Sequence, residues 1–169
     1  MQDSPTHLLR KTLKLVKIFD GLSETEGAAF LRVARRQDVR AEETVVREGQ
    51  RGDDAYVIVR GHLRVTKRHE GAEVELAKMQ PGDAFGELAV IDGGPRSATV
   101  VADTDATLLR FNRDSLALQP TLLLKVVTNI ARLMATRLRE ANDRVLGISL
   151  APLNPAGDAP AVRPGELKD

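Results

Sequence analysis

Phe85-Gly-Glu-Leu-Ala-Val-Ile-Asp-Gly-Gly-Pro-Arg-Ser-Ala-Thr-Val100 is the segment from which the fold is worked out. It opens on a glycine and a carboxylate, passes through the short apolar turn Leu88–Ile91, and breaks at Gly93-Gly94-Pro95. It then delivers Arg96 into a strand-like run ending at Ala102. The apolar turn is long enough for one helical turn, whose first N–H groups lack internal partners and favour an anion. Folding back after Glu87 would set that acid and Arg96 on a common pocket. A carboxylate accepts hydrogen bonds from sugar hydroxyls, and a planar guanidinium grips phosphate through two donors. A small ligand with both ribose and phosphate answers that arrangement.

On either side of this segment, residues 37–111 read as short β-rich runs. Thr44–Val46, Tyr56–Arg60, His62–Lys67, Glu73–Met79, Ser97–Ala102 and Ala106–Phe111 are each of strand length. Turn chemistry separates them at Gly49-Gln-Arg-Gly52, Arg60-Gly61, Glu70-Gly71, Pro81-Gly82-Asp83 and Asp103-Thr-Asp105. Leu63/Val65 and Val74/Leu76 alternate with Arg64 and Glu75, as in strands with one wet face. Many short strands at this spacing predict a jelly-roll-like β-roll.

Helices flank the roll. Ser4-Pro5 starts a segment Thr6–Phe19 with Leu8, Leu9, Leu13, Val16 and Ile18 at helical intervals. Ser23-Glu-Thr-Glu26 has the form of a capping box and predicts a second helix ending near Arg36. Asn112 caps a turn Arg113–Gln119, and Pro120 starts a longer helix through Leu146, stopped by Gly147. Leu123, Val127, Ile130, Met134, Leu138, Ala141 and Val145 recur at steps of three and four. About 27 residues make a helix of about 40 Å, longer than a small roll covers. Residual apolar length therefore predicts a homodimer through this helix, although a plain core-facing stripe would read the same way.

The string FGELAVIDGGPRSATV resembles the phosphate-binding cassette of cyclic nucleotide-binding domains, as found in catabolite activator proteins, protein kinase A regulatory subunits and gated channels. The similarity runs from about Leu15 to about Ile148 and includes Glu48-Gly49, Gly52-Asp53, Tyr56–Gly61 and Pro81-Gly-Asp83. It implies an α+β, mainly β fold: a β-roll with N-terminal helices, a short cassette helix and a long C-terminal helix. Residues 1–22 would be an N-terminal helical segment and 23–148 the domain, with the roll at about 37–111 and C-terminal helices at about 113–147. Residues 149–169, holding four of the eight prolines and no apolar period, would be a flexible tail.

The resemblance assigns roles. Gly86 would let the backbone approach the ribose, and Glu87 would accept from its 2′-hydroxyl. Backbone N–H groups of Leu88 and Ala89 would meet the cyclic phosphate, Arg96 would neutralise it, and Ser97 and Ala98 would add donors. Asp53 would hold the arginine in place. Val65, Leu76, Ala77 and Met79 would line the base. On the long helix, Arg137 falls where the catabolite activators carry an arginine near the ligand. Asn142 falls where they carry a hydroxyl that reads the adenine, while Ala141 replaces a second hydroxyl. Both residues read equally well as ordinary exposed helix positions. Glu87 and Arg96 could instead pair with each other as a structural bridge, but members of the fold that have lost the ligand usually lose one of these two first, so nucleotide binding is the favoured reading.

Composition narrows the function classes. The 169 residues are 42% hydrophobic and 3% aromatic, with net charge +1 and no cysteine. Near-neutral charge offers no electrostatic reason to expect nucleic acid or an acidic membrane. No apolar run reaches membrane-spanning length and MQDSPTH is not a signal peptide, so a cytoplasmic location is expected. His7, His62 and His69 are scattered, so neither a metal site nor a haem-sensing variant is expected. No nucleophile–base constellation suggests an enzyme, and no cofactor is implied. The long helix leaves no space for a helix-turn-helix domain after it, so direct DNA binding is not expected. Three readings stand: a cyclic-nucleotide sensor signalling through an unidentified protein effector, a transcription regulator lacking its DNA-binding half, and a ligand-free structural dimer. The resemblance favours cAMP over cGMP: a hydroxyl after the cassette arginine is linked to guanine contact in eukaryotic relatives, but bacterial cAMP binders also carry serine there, and the cassette and long helix look bacterial.

Overall fold

The structure, a computed structural model, describes residues 15–149. Among the described residues, eight strands form two four-stranded antiparallel sheets. The strands are β1 Arg35–Val39, β2 Thr44–Val46, β3 Asp54–Arg60, β4 Leu63–His69, β5 Ala72–Met79, β6 Ala84–Phe85, β7 Thr99–Ala102 and β8 Ala106–Asn112. One sheet runs β1-β8-β3-β6 and the other β2-β7-β4-β5. The helices are α1 Glu24–Val33, α2 Leu88–Asp92, α3 Arg113–Ala117 and α4 Pro120–Ser149. The expected β-roll with a short cassette helix and a long C-terminal helix is therefore present.

The faces of β3 explain how the roll is packed. Tyr56 and Ile58 point between the sheets, where they join Val46, Leu63, Phe85, Val100 and Leu108. Ala55, Val57 and Val59 point the other way, into a helix-covered core with Phe19, Phe30, Phe111, Leu116, Leu122, Val126 and Ile130. A strand buried on both faces reads as a continuous apolar run, as Ala55–Val59 does. Phe19, Phe30 and Phe111 pack ring on ring at 4.3–5.9 Å between centroids, so three of the four phenylalanines anchor the helices to the sheet.

Local signals in the sequence hold where they are local. The Ser23 hydroxyl accepts from Glu26 N–H (3.2 Å) and the Glu26 carboxylate accepts from Ser23 N–H (2.8 Å), completing the capping box. Asn112 caps α3 in the same reciprocal way with Ser115.

Several boundaries differ. The second helix ends at Val33, and Arg35–Val39 forms an unexpected strand because it pairs in register with β8, Arg35 opposite Arg110 and Val39 opposite Ala106. Lys17–Phe19 is a 3-10 turn preceded by extended Val16, so the expected helix does not reach Phe19; residues 1–14 lie outside the described residues. α4 passes through Gly147 to Ser149, as one glycine costs a helix only about 1 kcal/mol. The expected tail at 150–169 lies outside the described residues.

α4 is also rotated by one position from the expected stripe. Its buried residues are Leu122, Val126, Asn129 and Ile130, while Leu123, Val127 and Met134 are half-buried and Leu138 and Ala141 exposed. Doubled apolar residues at 122–124 and 126–127 make adjacent stripes equivalent on paper. Hydrogen bonds choose between them. Asn129 Nδ2 donates to the Ile18 (3.3 Å) and Asp20 (2.8 Å) carbonyls, and Lys125 Nζ donates to the Glu26 carboxylate (2.7 Å). One compact unit ends at Ala135 and a second begins at Thr136, within α4. Among the described residues, no helix is long and apolar enough to cross a membrane.

Candidate functional site

The cassette is seated by β6. Phe85 pairs with Tyr56 across β3, and the two rings stack at 4.9 Å with an interplanar angle of 13°. Burial, then the nearby Asp54 carboxylate, raises the Tyr56 phenol above its ordinary range. The chain leaves β6 through Gly86 at φ +72°, a left-handed conformation that glycine adopts without strain. Glu87 follows, buried, at the start of α2. Ala89 N–H donates to the Gly86 carbonyl (3.2 Å) and Val90 N–H to the Glu87 carbonyl (3.1 Å), closing a tight first turn. Gly93 ends the helix at φ +61°.

Arg96 returns to the same place. Its Nη1 donates to the Gly86 carbonyl at 3.3 Å. Its backbone is tied to the loop after β2: Arg96 N–H donates to the Gln50 carbonyl (2.9 Å) and Gly49 N–H to the Arg96 carbonyl (2.8 Å). The guanidinium lies between two glycines. A Cβ on Gly52 would stand 3.1 Å from Nη2, and one on Gly86 only 2.6 Å from Nη1 and 2.9 Å from the Asp54 carbonyl. Gly86 thus makes space for the arginine itself. Glu87 and Arg96 are brought to the same turn, with Glu87 buried and Arg96 half-exposed. Ser97 is exposed and Ala98 half-buried on the way into β7.

The two acids before β3 separate. Asp54 is buried and pairs with Arg110 (2.6 Å), while Asp53 is exposed, and the ion pairs among the described residues do not join it to Arg96. Adjacent strand residues point to opposite faces, so the Asp-Asp dipeptide alone did not say which acid turns inward. The sequence reading missed the Asp54–Arg110 pair and the contact of Gly52 with Arg96; the run Gly52-Asp-Asp54 was the only available signal.

Of the base-lining candidates, Val65 and Ala77 are direct cross-strand partners, and Leu63 faces Met79 beside them. Val65 and Met79 pack against the inter-sheet core, so three of the four share one face. Leu76 falls where the β4–β5 register shifts and is 56% exposed, the extra residue of a bulge. The rest of β5 is nearly as exposed because it is an outer strand paired only with β4, so the expected alternation with one buried face is absent there. Arg137 and Asn142 are exposed positions on α4 in the unit that begins at Thr136.

The chain is similar to known proteins. The Cyclic nucleotide-binding domain family profile matches residues 36–118. A CRP-like cAMP-activated global transcriptional regulator of Mycobacterium tuberculosis is 31% identical over 129 residues, 76% of this chain and 58% of that protein. The chain therefore spans somewhat over half the length of that relative. The crystal structure of the Thermus thermophilus catabolite activator protein superposes with a TM-score of 0.73 at 33% identity, covering 79% of this chain and 63% of that one. The regulatory domain of Toxoplasma gondii protein kinase A, crystallised with cAMP, gives 0.64 at 28% identity over 70% of this chain and 45% of that one. The β-roll, the cassette between β6 and β7 and these matches make the chain a member of the cyclic nucleotide-binding domain family.

Proposed function

We propose that this protein is a cytoplasmic sensor that binds a cyclic nucleotide, cAMP in preference to cGMP, and passes the signal to a protein effector. The observation that carries the reading is the seat of Arg96 between Gly52 and Gly86, beside buried Glu87. Arg96 is half-exposed, so its outer donors remain accessible to a cyclic phosphate. Glu87 accepts from the ribose 2′-hydroxyl, Leu88, Ala89, Ser97 and Ala98 surround the phosphate, and Val65, Leu76, Ala77 and Met79 take the base. Asp53, exposed before β3, is the candidate acid supporting Arg96, and Arg137 and Asn142 are further candidate contacts carried by α4. The preference for cAMP is supported by the cAMP-activated regulator and the cAMP-bound kinase domain among the similar proteins.

Signal transmission follows from shared packing. Val90 of α2 lies in the same core as Leu122, Val126 and Ile130 of α4, so drawing α2 inward on phosphate repacks the first half of α4. The exposed positions Leu138 and Ala141, three apart, offer a face for a homodimer. Calorimetric titration with cAMP and cGMP tests the function: saturable heat with cAMP supports it, and no heat with either overturns it. Sedimentation at tens of micromolar with and without nucleotide tests the dimer; a monomer in both removes it. Unchanged amide exchange in α4 at saturating nucleotide would remove the transmission step.

A second reading is a cAMP-responsive transcription regulator, because the M. tuberculosis relative is one and this chain spans 58% of it. Nucleotide-dependent DNA binding by the product of the complete gene would select that reading.

A further inference from the structure

Tyr56 is the single tyrosine of the chain, which has no tryptophan. It is 6% exposed, and its ring belongs to the inter-sheet core against which Val65 and Met79 pack. Those two are base-lining candidates, so the ring stands in the same wall. β6 is only two residues long, and the stack of Phe85 on Tyr56 locks ring and strand together. A ring held in this way carries its hydroxyl at a fixed place.

That hydroxyl is uncommitted. Among the described residues, no hydrogen bond ends on it, yet no fully buried side-chain oxygen lacks a partner. The small accessible part of Tyr56 therefore includes its polar end, which opens on unfilled space. Gly86 shows how near the cassette arginine comes. A Cβ built there would lie 2.6 Å from Arg96 Nη1, 2.9 Å from the Asp54 carbonyl and 3.6 Å from Ala55 Cα. The guanidinium thus rests against β3 at the residue before Tyr56.

Four charged groups act on the phenol: Asp54, Arg110, Arg96 and Asp53. Two of them offset each other, because Asp54 is paired with Arg110 at 2.6 Å, and Arg110 is also the direct cross-strand partner of Tyr56. Asp53 is exposed, where solvent and salt screen it. Arg96 is left, its side chain making one hydrogen bond among the described residues, to the Gly86 carbonyl. Burial, and next the Asp54 carboxylate, keep the phenol above its ordinary range. At neutral pH it is therefore an uncharged donor standing near a cation.

We propose that Tyr56 is a further ligand-binding residue of the cassette, its hydroxyl donating to an oxygen of the nucleotide phosphate beside Arg96. This rests on nucleotide binding as proposed above, and it adds a neutral donor to the charged one. A hydrogen bond from a neutral donor to an anion is charge-assisted, and phenylalanine at this position would keep the ring stack and lose only that bond.

The test compares the parent chain with Tyr56→Phe in thermal melts and in calorimetric titrations with cAMP. The variant should bind roughly tenfold more weakly. Its melting temperature without nucleotide should not fall, because the hydroxyl has no bond within the chain to lose. A parent chain carrying ¹³C at tyrosine Cζ gives one resonance, which saturating cAMP should shift. The bound anion should also push the phenol titration of that resonance to higher pH. Binding by the variant within about twofold of the parent, less than one hydrogen bond contributes, would overturn the proposal. So would a lowered melting temperature or an unmoved Cζ resonance, while nucleotide binding by the parent would stand. No cAMP binding by the parent would remove both.

Discussion

Arg96 donates to the carbonyl of Gly86 at 3.3 Å, and the same carbonyl accepts Ala89 N–H at 3.2 Å. One backbone oxygen therefore ties the cassette arginine to the first turn of the cassette helix. Displacing either glycine that flanks the guanidinium disturbs both.

Gly52 and Gly86 are expected to separate two effects. At Gly86, a methyl group meets the Arg96 side chain and the Asp54 backbone at positive φ, so Gly86→Ala should lose about 1–3 kcal/mol of stability. At Gly52 only the Arg96 side chain is in the way and φ is ordinary. Gly52→Ala should melt within about 0.5–1 kcal/mol of the parent yet weaken nucleotide binding. Thermal melts paired with calorimetry check this; equal melting losses for the two variants would refute the distinction.

Arg96→Gln should keep the fold, because the arginine is half-exposed, its side chain makes one long hydrogen bond among the described residues, and its two backbone hydrogen bonds survive the substitution. Removing the charged partner of the cyclic phosphate should cost about 1.5–3 kcal/mol of binding, some ten- to hundredfold in affinity. A circular dichroism melt and a cAMP titration on the same preparation read both quantities.

Asn129→Leu should loosen the entry to the helical core. The amide serves the carbonyls of Ile18 and Asp20 from a buried position. Leaving them without donors should cost about 1–3 kcal/mol. Faster amide exchange around Phe19 and Leu22, with the roll unchanged, is the expected signature.

Glu26 should confer acid sensitivity. The hydrogen bond from Lys125, and next that from Ser23 N–H, hold its carboxyl at about 2, below the ordinary 4.5. A carboxyl depressed in the folded state stabilises it above the unfolded value, and that contribution is lost as pH falls from about 4.5 towards about 2. Glu26→Gln should flatten the pH dependence of the melting temperature within that window and leave it unchanged at neutral pH relative to its own baseline. An unaltered slope would refute the assignment.

What the amino-acid sequence determined by itself was a set of features that depend on near neighbours. The Ser23–Glu26 box, the Asn112 cap, the turns that punctuate the roll and the order of glycine, acid and arginine in the cassette involve residues a few positions apart. Tertiary structure decided which way residues face. It recruited Arg35–Val39 into a strand through β8, turned Asp54 inward and left Asp53 outside, and rotated α4 so that Leu122 and Val126 are buried. The physical reason is that hydrogen bonds within a turn are specified by spacing. Burial is specified by partners far along the chain, and where apolar or acidic residues come in adjacent pairs, only those partners choose between them.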